Sequence, residues 1–160
     1  MDAALRVREA RRSGDLESAR RLALVLAAEH PGDAELQYQA ACVHDQLGRE
    51  AEAVPFYEAA LALGLPDESL RGAYLGLGST FRTLGQYRQA EATLQAGLAH
   101  FPDAAELKTF LAMTLHNLGQ SRQAVELLLT VVADTSADAH VATYREAIRF
   151  YARDVERTWT

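Results

Sequence analysis

Apolar residues recur along most of the chain at the three- and four-residue spacing of an amphipathic helix, for example Tyr74, Leu77, Phe81 and Leu84. The segments with this spacing are rich in Ala, Leu, Glu and Arg, which favour helices over strands. No stretch alternates apolar and polar residues for long enough to indicate a strand. The pattern predicts an all-α fold with nine helices, at 2–12, 15–29, 33–46, 49–63, 67–83, 86–99, 103–117, 120–133 and 137–157.

Short polar turns, each with a glycine, separate these helices at a nearly constant interval. Gly14, Gly48, Gly85 and Gly119 are 34, 37 and 34 residues apart, and an alanine follows each of them after five residues. This interval indicates a repeated unit of two antiparallel helices. We therefore expect a single domain over residues 1–160, with repeat units at about 1–32, 33–66, 67–102 and 103–135 and a capping helix at 137–157.

Residues near the helix ends predict where helices start and bend. Asp33, Asp67 and Asp103 each follow a proline and are expected to accept hydrogen bonds from the free N–H groups of the next helix. Such a cap stabilises a helix by about 0.5–2 kcal/mol. Pro55 falls inside the fourth helix and predicts a local bend or a later start there.

The last predicted helix is amphipathic, with apolar residues on one side and arginines four residues apart on another. We expect it to cover the end of the repeats and to keep its arginines in water. Trp159, beyond this helix, is expected to avoid water. The two sides consist of Val141, Tyr144, Ile148, Tyr151 and Val155, and of Arg145, Arg149, Arg153 and Arg157.

The third unit shows the repeat motif most fully, because its first helix reads Tyr74-x2-Leu77-Gly78-x2-Phe81. The rest of the motif follows as Gly85, Ala90-x3-Leu94 and Pro102. This arrangement resembles the tetratricopeptide repeat (TPR), and bacterial members of that family in particular, over about residues 1–134. The resemblance implies a TPR-like right-handed superhelical solenoid of antiparallel helix pairs, closed by a C-terminal capping helix.

Composition excludes several classes of protein. The chain has 160 residues, of which 49% are hydrophobic, and a formal net charge of −6, which argues against a general nucleic-acid binder. Its longest apolar run, residues 22–28, is too short to span a membrane. Cys42 is the single cysteine, so no internal disulfide is expected. Without a recognisable signal peptide, we expect a cytoplasmic protein.

No group of residues predicts catalysis or cofactor binding. The five histidines are scattered, and none has the spacing and acidic neighbour that a helical zinc site requires. Cys42 is expected at a contact between helices and not beside a base that would make it a nucleophile. We therefore predict no enzymatic activity, no metal and no cofactor.

The resemblance implies that the first helix of each pair lines a concave groove. An apolar and aromatic surface with an arginine suits peptide recognition, although a merely hydrated surface is the alternative. We predict a non-catalytic adaptor or scaffold that binds a peptide or protein segment in this groove. The predicted groove residues are Tyr38, Cys42, Leu75, Ser79, Arg82, Phe110, Met113, His116 and Asn117.

The uneven charge of the chain supports a second hypothesis. Residues 1–21 carry six arginines and four acidic residues, whereas residues 33–70 carry one arginine and eight acidic residues. The acidic second unit could meet a basic partner or the basic end of another copy. The alternative function is therefore a self-associating assembly domain, such as a homodimer formed through the cap and the charged ends.

Overall fold

The structure, a computed structural model, describes residues 2–158. Within that range the chain forms ten helices and no strand. The first eight confirm the predicted helices, with ends that differ by two residues at most. The helices are α1 (Ala3–Arg12), α2 (Leu16–Glu29), α3 (Ala34–Gln46), α4 (Glu50–Leu63), α5 (Asp67–Thr83), α6 (Tyr87–His100), α7 (Ala105–Asn117), α8 (Ser121–Thr135), α9 (Ala139–Thr143) and α10 (Arg145–Tyr151).

The prediction of one capping helix at 137–157 is wrong, because the chain forms the two short helices α9 and α10 instead. Tyr144 separates them with φ −100° and ψ 11°, outside the helical region. Its N–H donates to the carbonyl of Val141, three residues back, which closes the end of α9 tightly. The Thr143 hydroxyl donates to the Ala139 carbonyl at 2.9 Å, a contact that bends helices.

The expected sides of the cap are also partly reversed. Tyr144 and Tyr151 are exposed, whereas two of the arginines turn towards α8. Arg145 Nε donates to the carbonyl of Ala133 at 2.8 Å, and Arg149 Nη2 donates to Asp134 Oδ1 at 2.8 Å. The last carbonyls of a helix have no hydrogen-bond partner within the helix. An arginine whose guanidinium can reach one of them therefore favours that hydrogen bond over full exposure to water. The expectation for Trp159 falls outside the described residues.

The predicted aspartate caps are found in one of three cases. Asp33 caps α3, since its Oδ1 accepts from the N–H of Leu36 at 3.0 Å. Asp67 is instead the first residue of α5, after Pro66, and Asp103 precedes the N-cap residue of α7. Helix α4 begins at Glu50 and continues through Pro55, so the proline does not delay its start.

The helices cluster into two compact units, one ending at Gln86 and the other beginning at Tyr87. In unit 1, α3 packs against α2 and α4, and the first helices of the pairs, α1, α3 and α5, also pack against one another in that order. In unit 2, α7 packs against α6 and α8, and α10 packs against α8. The alanine five residues after each repeat glycine is buried, which lets the helices approach closely. These alanines are Ala19, Ala53, Ala90 and Ala124.

Candidate functional site

A cluster of polar side chains joins α3 to α4 and α5 in unit 1. Half-buried Asp45 accepts hydrogen bonds from the Tyr57 hydroxyl at 2.7 Å and from the Thr80 hydroxyl at 2.8 Å. Cys42 and Tyr38, one and two turns before Asp45 on α3, are hydrogen-bonded to each other. The rings of Tyr38 and Tyr57 lie 6.2 Å apart between centroids. We call these five residues the polar cluster; together they hold the two first helices α3 and α5 and the second helix α4.

Two glycines of α5 make room for the tyrosine rings. A Cβ atom at Gly72 would lie 2.2 Å from the Tyr38 hydroxyl oxygen, and one at Gly76 would lie 2.3 Å from that of Tyr57. Both distances are far shorter than any van der Waals contact, so a larger residue would displace a ring. The two glycines therefore set how closely α5 approaches α3 and α4.

Burial in the polar cluster favours the uncharged forms of its members. It raises the pKa of the Cys42 thiol and that of the Asp45 carboxyl above their ordinary values. Burial is also the main cause of the raised pKa values of Tyr38 and Tyr57. A thiol with a raised pKa is a poor nucleophile at neutral pH, so Cys42 fits a packing role.

A second polar group joins α1 to α3 and α5 in the same unit. Arg8 Nη2 donates to Glu35 Oε1, and Gln39 Nε2 donates to the same oxygen at 3.0 Å. The Ser69 hydroxyl also bonds Glu35. Burial raises the pKa of Glu35, but these hydrogen bonds together outweigh burial and lower it below the ordinary 4.5. First helices in unit 1 thus meet through polar contacts as well as apolar ones.

The predicted groove residues of unit 1 lie beside these polar groups. Leu75, Ser79 and Arg82 share one face of α5 at spacings of four and three residues, and all three are half-buried. Tyr38 reaches α5 at Gly72, one turn before Leu75, so the structure brings α3 and α5 residues of the predicted groove close together. Cys42 is buried and offers little surface to a ligand.

The predicted groove residues of unit 2 all lie on α7. Phe110, Met113 and Asn117 share one face of the helix at spacings of three and four residues. Phe110 and Met113 are half-buried, whereas Asn117 is exposed. His116 is also exposed, and its Nδ1 lies 3.0 Å from the hydroxyl of Ser121 at the start of α8.

The uneven charge of the sequence is partly balanced inside unit 1. Arg49 forms ion pairs of 3.2 Å with both Glu17 and Glu52, and Arg20 lies 3.9 Å from Glu52. The Arg8–Glu35 pair likewise joins the basic first stretch to the acidic second repeat. These opposite charges meet within one chain, which leaves fewer of them for contact with another copy.

Sequence reasoning did not identify Tyr57 and Thr80 as partners of Asp45. The available signal was an aspartate at a first-helix position that holds Arg11, Arg82 and His116 in the other repeats. A half-buried carboxylate at this position, beside another helix, needs hydrogen-bond donors. The donors themselves lie 12 and 35 residues away, beyond the reach of local patterns.

One of the five histidines has a structural role. Buried His44 places Nδ1 2.8 Å from the Ala40 carbonyl, and its ring stacks on Phe56 at 5.0 Å between centroids. Over residues 2–158, no group of His, Cys, Asp and Glu side chains is placed to hold a metal ion. None of the helices described above is long and apolar enough to cross a membrane.

Helix pairs that recur at a nearly constant interval, with each first helix from α3 to α7 packed on the second helix before it, define a helical-repeat protein of the class that serves as a protein-interaction scaffold. The chain belongs to the tetratrico peptide repeat family, whose profile matches residues 34–155. Members of this family are typically non-enzymatic interaction modules. Comparison with curated proteins gives no match.

Solved structures show the same fold. A MamA RS-1 ArsTM double mutant is 22% identical, with 98% of this chain and 88% of that chain aligned and a TM-score of 0.73. The crystal structure of MamA is 18% identical, with coverage of 96% and 90% and a TM-score of 0.75. A chain of the APC/C hetero-tetramer Cut9-Hcn1 is 16% identical, with coverage of 92% and 29% and a TM-score of 0.70. The fold is therefore a TPR-like helical repeat solenoid.

Proposed function

We propose that the chain is a non-catalytic adaptor that binds a peptide or protein segment on the surface of its first helices. Family membership and the helical-repeat fold support an interaction scaffold. The polar cluster carries the finer proposal, because it fixes α3 and α5 to each other before any ligand arrives. A surface ordered in advance does not lose further conformational entropy on binding, which favours affinity.

The side chains on this surface suit a segment with both apolar and acidic groups. On α5, Leu75 offers apolar area and Arg82, two turns later, offers a cation for a carboxylate. On α7, Phe110 and Met113 add aromatic and flexible apolar area. Aromatic and arginine residues dominate the binding energy at most protein interfaces. The proposed anchors are Leu75 and Arg82 in unit 1, with Tyr38 beside them, and Phe110 and Met113 in unit 2.

The proposal is tested by affinity capture from a lysate of the native host, followed by mass spectrometry. The baits are the wild type, an Arg82→Glu variant and a Phe110→Ala variant, each confirmed to be folded by its thermal melting curve. Arg88→Glu is the matched control, because it makes the same charge change at an exposed position of a second helix. We expect a protein that the wild type and the control retain and the two groove variants lose.

Purified, that protein should bind the Arg82→Glu variant several-fold more weakly than the wild type if its binding segment is acidic. Recovery of the same proteins with all four baits would contradict binding at the first helices. If the wild type and the Arg82→Glu variant bound with equal affinity, Arg82 would not belong to the binding surface. The Phe110→Ala variant would then decide separately whether Phe110 belongs to it.

A further inference from the structure

Helix α8, the second helix of the fourth repeat, has a partly exposed apolar face. Its central position is buried in the other repeats. Nine residues after each repeat glycine stand Ala23, Tyr57, Leu94 and Leu128. The first three are 0%, 2% and 0% exposed, whereas Leu128 of α8 is 38% exposed. Val125 and Val132, which flank Leu128 on the same side of α8, are 46% and 43% exposed. We call these three α8 residues the open face.

In the preceding repeats, the next first helix covers this position. Helices α3, α5 and α7 pack on α2, α4 and α6, respectively. Each covering helix buries residues at i, i+4 and i+7 of its own sequence, which is one helical stripe. The stripes are Leu36, Ala40 and Val43 in α3, Ala73, Leu77 and Thr80 in α5, and Leu107, Leu111 and Thr114 in α7.

The cap does not reproduce such a stripe over α8. Counted from the repeat glycine as in α7, the corresponding residues are Val141, Arg145 and Ile148. Arg145 thus stands at the central apolar position, and its guanidinium bonds the end of α8 at Ala133. The helix also breaks at Tyr144, between the first two positions of the stripe. The open face is therefore only partly covered, because residues 137–158 form no continuous apolar helix over it.

The corresponding stripe of the first repeat is charged. By the same count, the outer stripe of α1 consists of Asp2, Arg6 and Glu9, all exposed. Burying charged residues without partners is costly. The α1 helix of a second copy would therefore be a poor cover for the open face.

We propose that the open face docks an amphipathic helix of a partner protein, which stacks on α8 as the first helix of a fifth repeat would. Three interfaces in this chain already place such a stripe over the position equivalent to Leu128, so the required partner chemistry is apolar side chains at i and i+4 and an apolar side chain or threonine at i+7. Arg122, which borders the open face, lies 3.8 Å from Asp154 in an ion pair. Three half-covered aliphatic side chains supply much less than the roughly 800 Å² per partner of a stable dimer, which favours a single helix over a second copy.

The test uses a fluorescent synthetic peptide of residues 103–119, since α7 carries the stripe that covers α6. Titration of the full chain into this probe should raise its fluorescence anisotropy. Leu128→Asp and Val125→Asp should each weaken binding at least about tenfold, as should Leu111→Asp in the peptide. Val25→Asp is the matched control, because Val25 is an exposed valine of α2 outside the equivalent face. Thermal melting confirms that each variant is folded.

Three results would overturn the proposal. The first is no binding by the wild type up to about 1 mM protein, which corresponds to about 4 kcal/mol of binding free energy. The second is equal binding by the wild type and Leu128→Asp. The third is a dimer in sedimentation equilibrium that Leu128→Asp dissociates, which would assign the open face to a second copy. Arg82→Glu should bind the probe like the wild type, which separates this site from the surface of the first helices.

Discussion

Leu94 of α6 and Leu128 of α8 occupy the same position in successive repeats, yet the first is fully buried and the second is 38% exposed. Their own sequences do not explain the difference, since both follow the repeat alanine by four residues. What differs is the next helix: α7 brings a continuous buried stripe, and the cap brings Arg145 and a break at Tyr144. In a helical repeat, the burial of a residue on the second helix thus depends on the first helix that follows it.

The largest expected effect comes from making the same substitution at these two positions. Leu94→Ala should lower the free energy of unfolding by about 2–5 kcal/mol, because it removes buried methyl groups and leaves a cavity. Leu128→Ala should cost less than about 1 kcal/mol, because much of its side chain already contacts water. Urea denaturation followed by circular dichroism measures both. Equal losses would show that another element covers Leu128 in solution and would remove the basis of the open face.

The next effect tests how much the polar cluster contributes beside the apolar contacts between helices. Asp45→Ala should destabilise the chain by about 1–3 kcal/mol, because the hydroxyls of Tyr57 and Thr80 lose their acceptor. Asp45→Asn keeps an oxygen acceptor and should cost less. Asp103→Ala is the exposed control, with an expected change within about 0.5 kcal/mol. A cost for Asp45→Ala no larger than the control's would mean that apolar packing alone joins α3 to α5.

The sequence predicts the repeats well because their signals are local. Turn glycines, helix-ending prolines and helical spacing each act within a few residues, so eight helices are found to within two residues. The cap is misjudged for a related reason. Its spacing fits one amphipathic helix, but the free carbonyls at the end of α8 draw Arg145 inwards, which a pattern confined to residues 137–157 does not contain.

The candidate site is predictable only in part. The register of the first helices indicates which side chains share a face, as Leu75, Ser79 and Arg82 do. It does not show that Tyr38 and Tyr57 lean over Gly72 and Gly76, because that contact depends on how closely α5 approaches α3 and α4. Long-range packing thus decides which residues of a predicted surface face a ligand and which are used inside the protein.

The smallest expected effect distinguishes two carboxyl groups of unit 1 by the sign of their pH dependence. Burial raises the pKa of Asp45 above its ordinary 3.8. The hydrogen bonds that Glu35 accepts, one of them from Arg8, together lower the pKa of Glu35 below its ordinary 4.5. The native state therefore binds a proton more readily than the unfolded state at Asp45 and less readily at Glu35.

As the pH falls from 7 through the raised pKa towards 3.8, the wild type should gain stability relative to Asp45→Asn. As the pH falls from 4.5 through the lowered pKa of Glu35, the wild type should lose stability relative to Glu35→Gln. Urea midpoints measured for the three proteins between pH 7 and pH 3 give both differences. If the two differences had the same sign, one of the two carboxyl groups would lie in a different environment in solution. The hydrogen bonds assigned to that group would then be wrong.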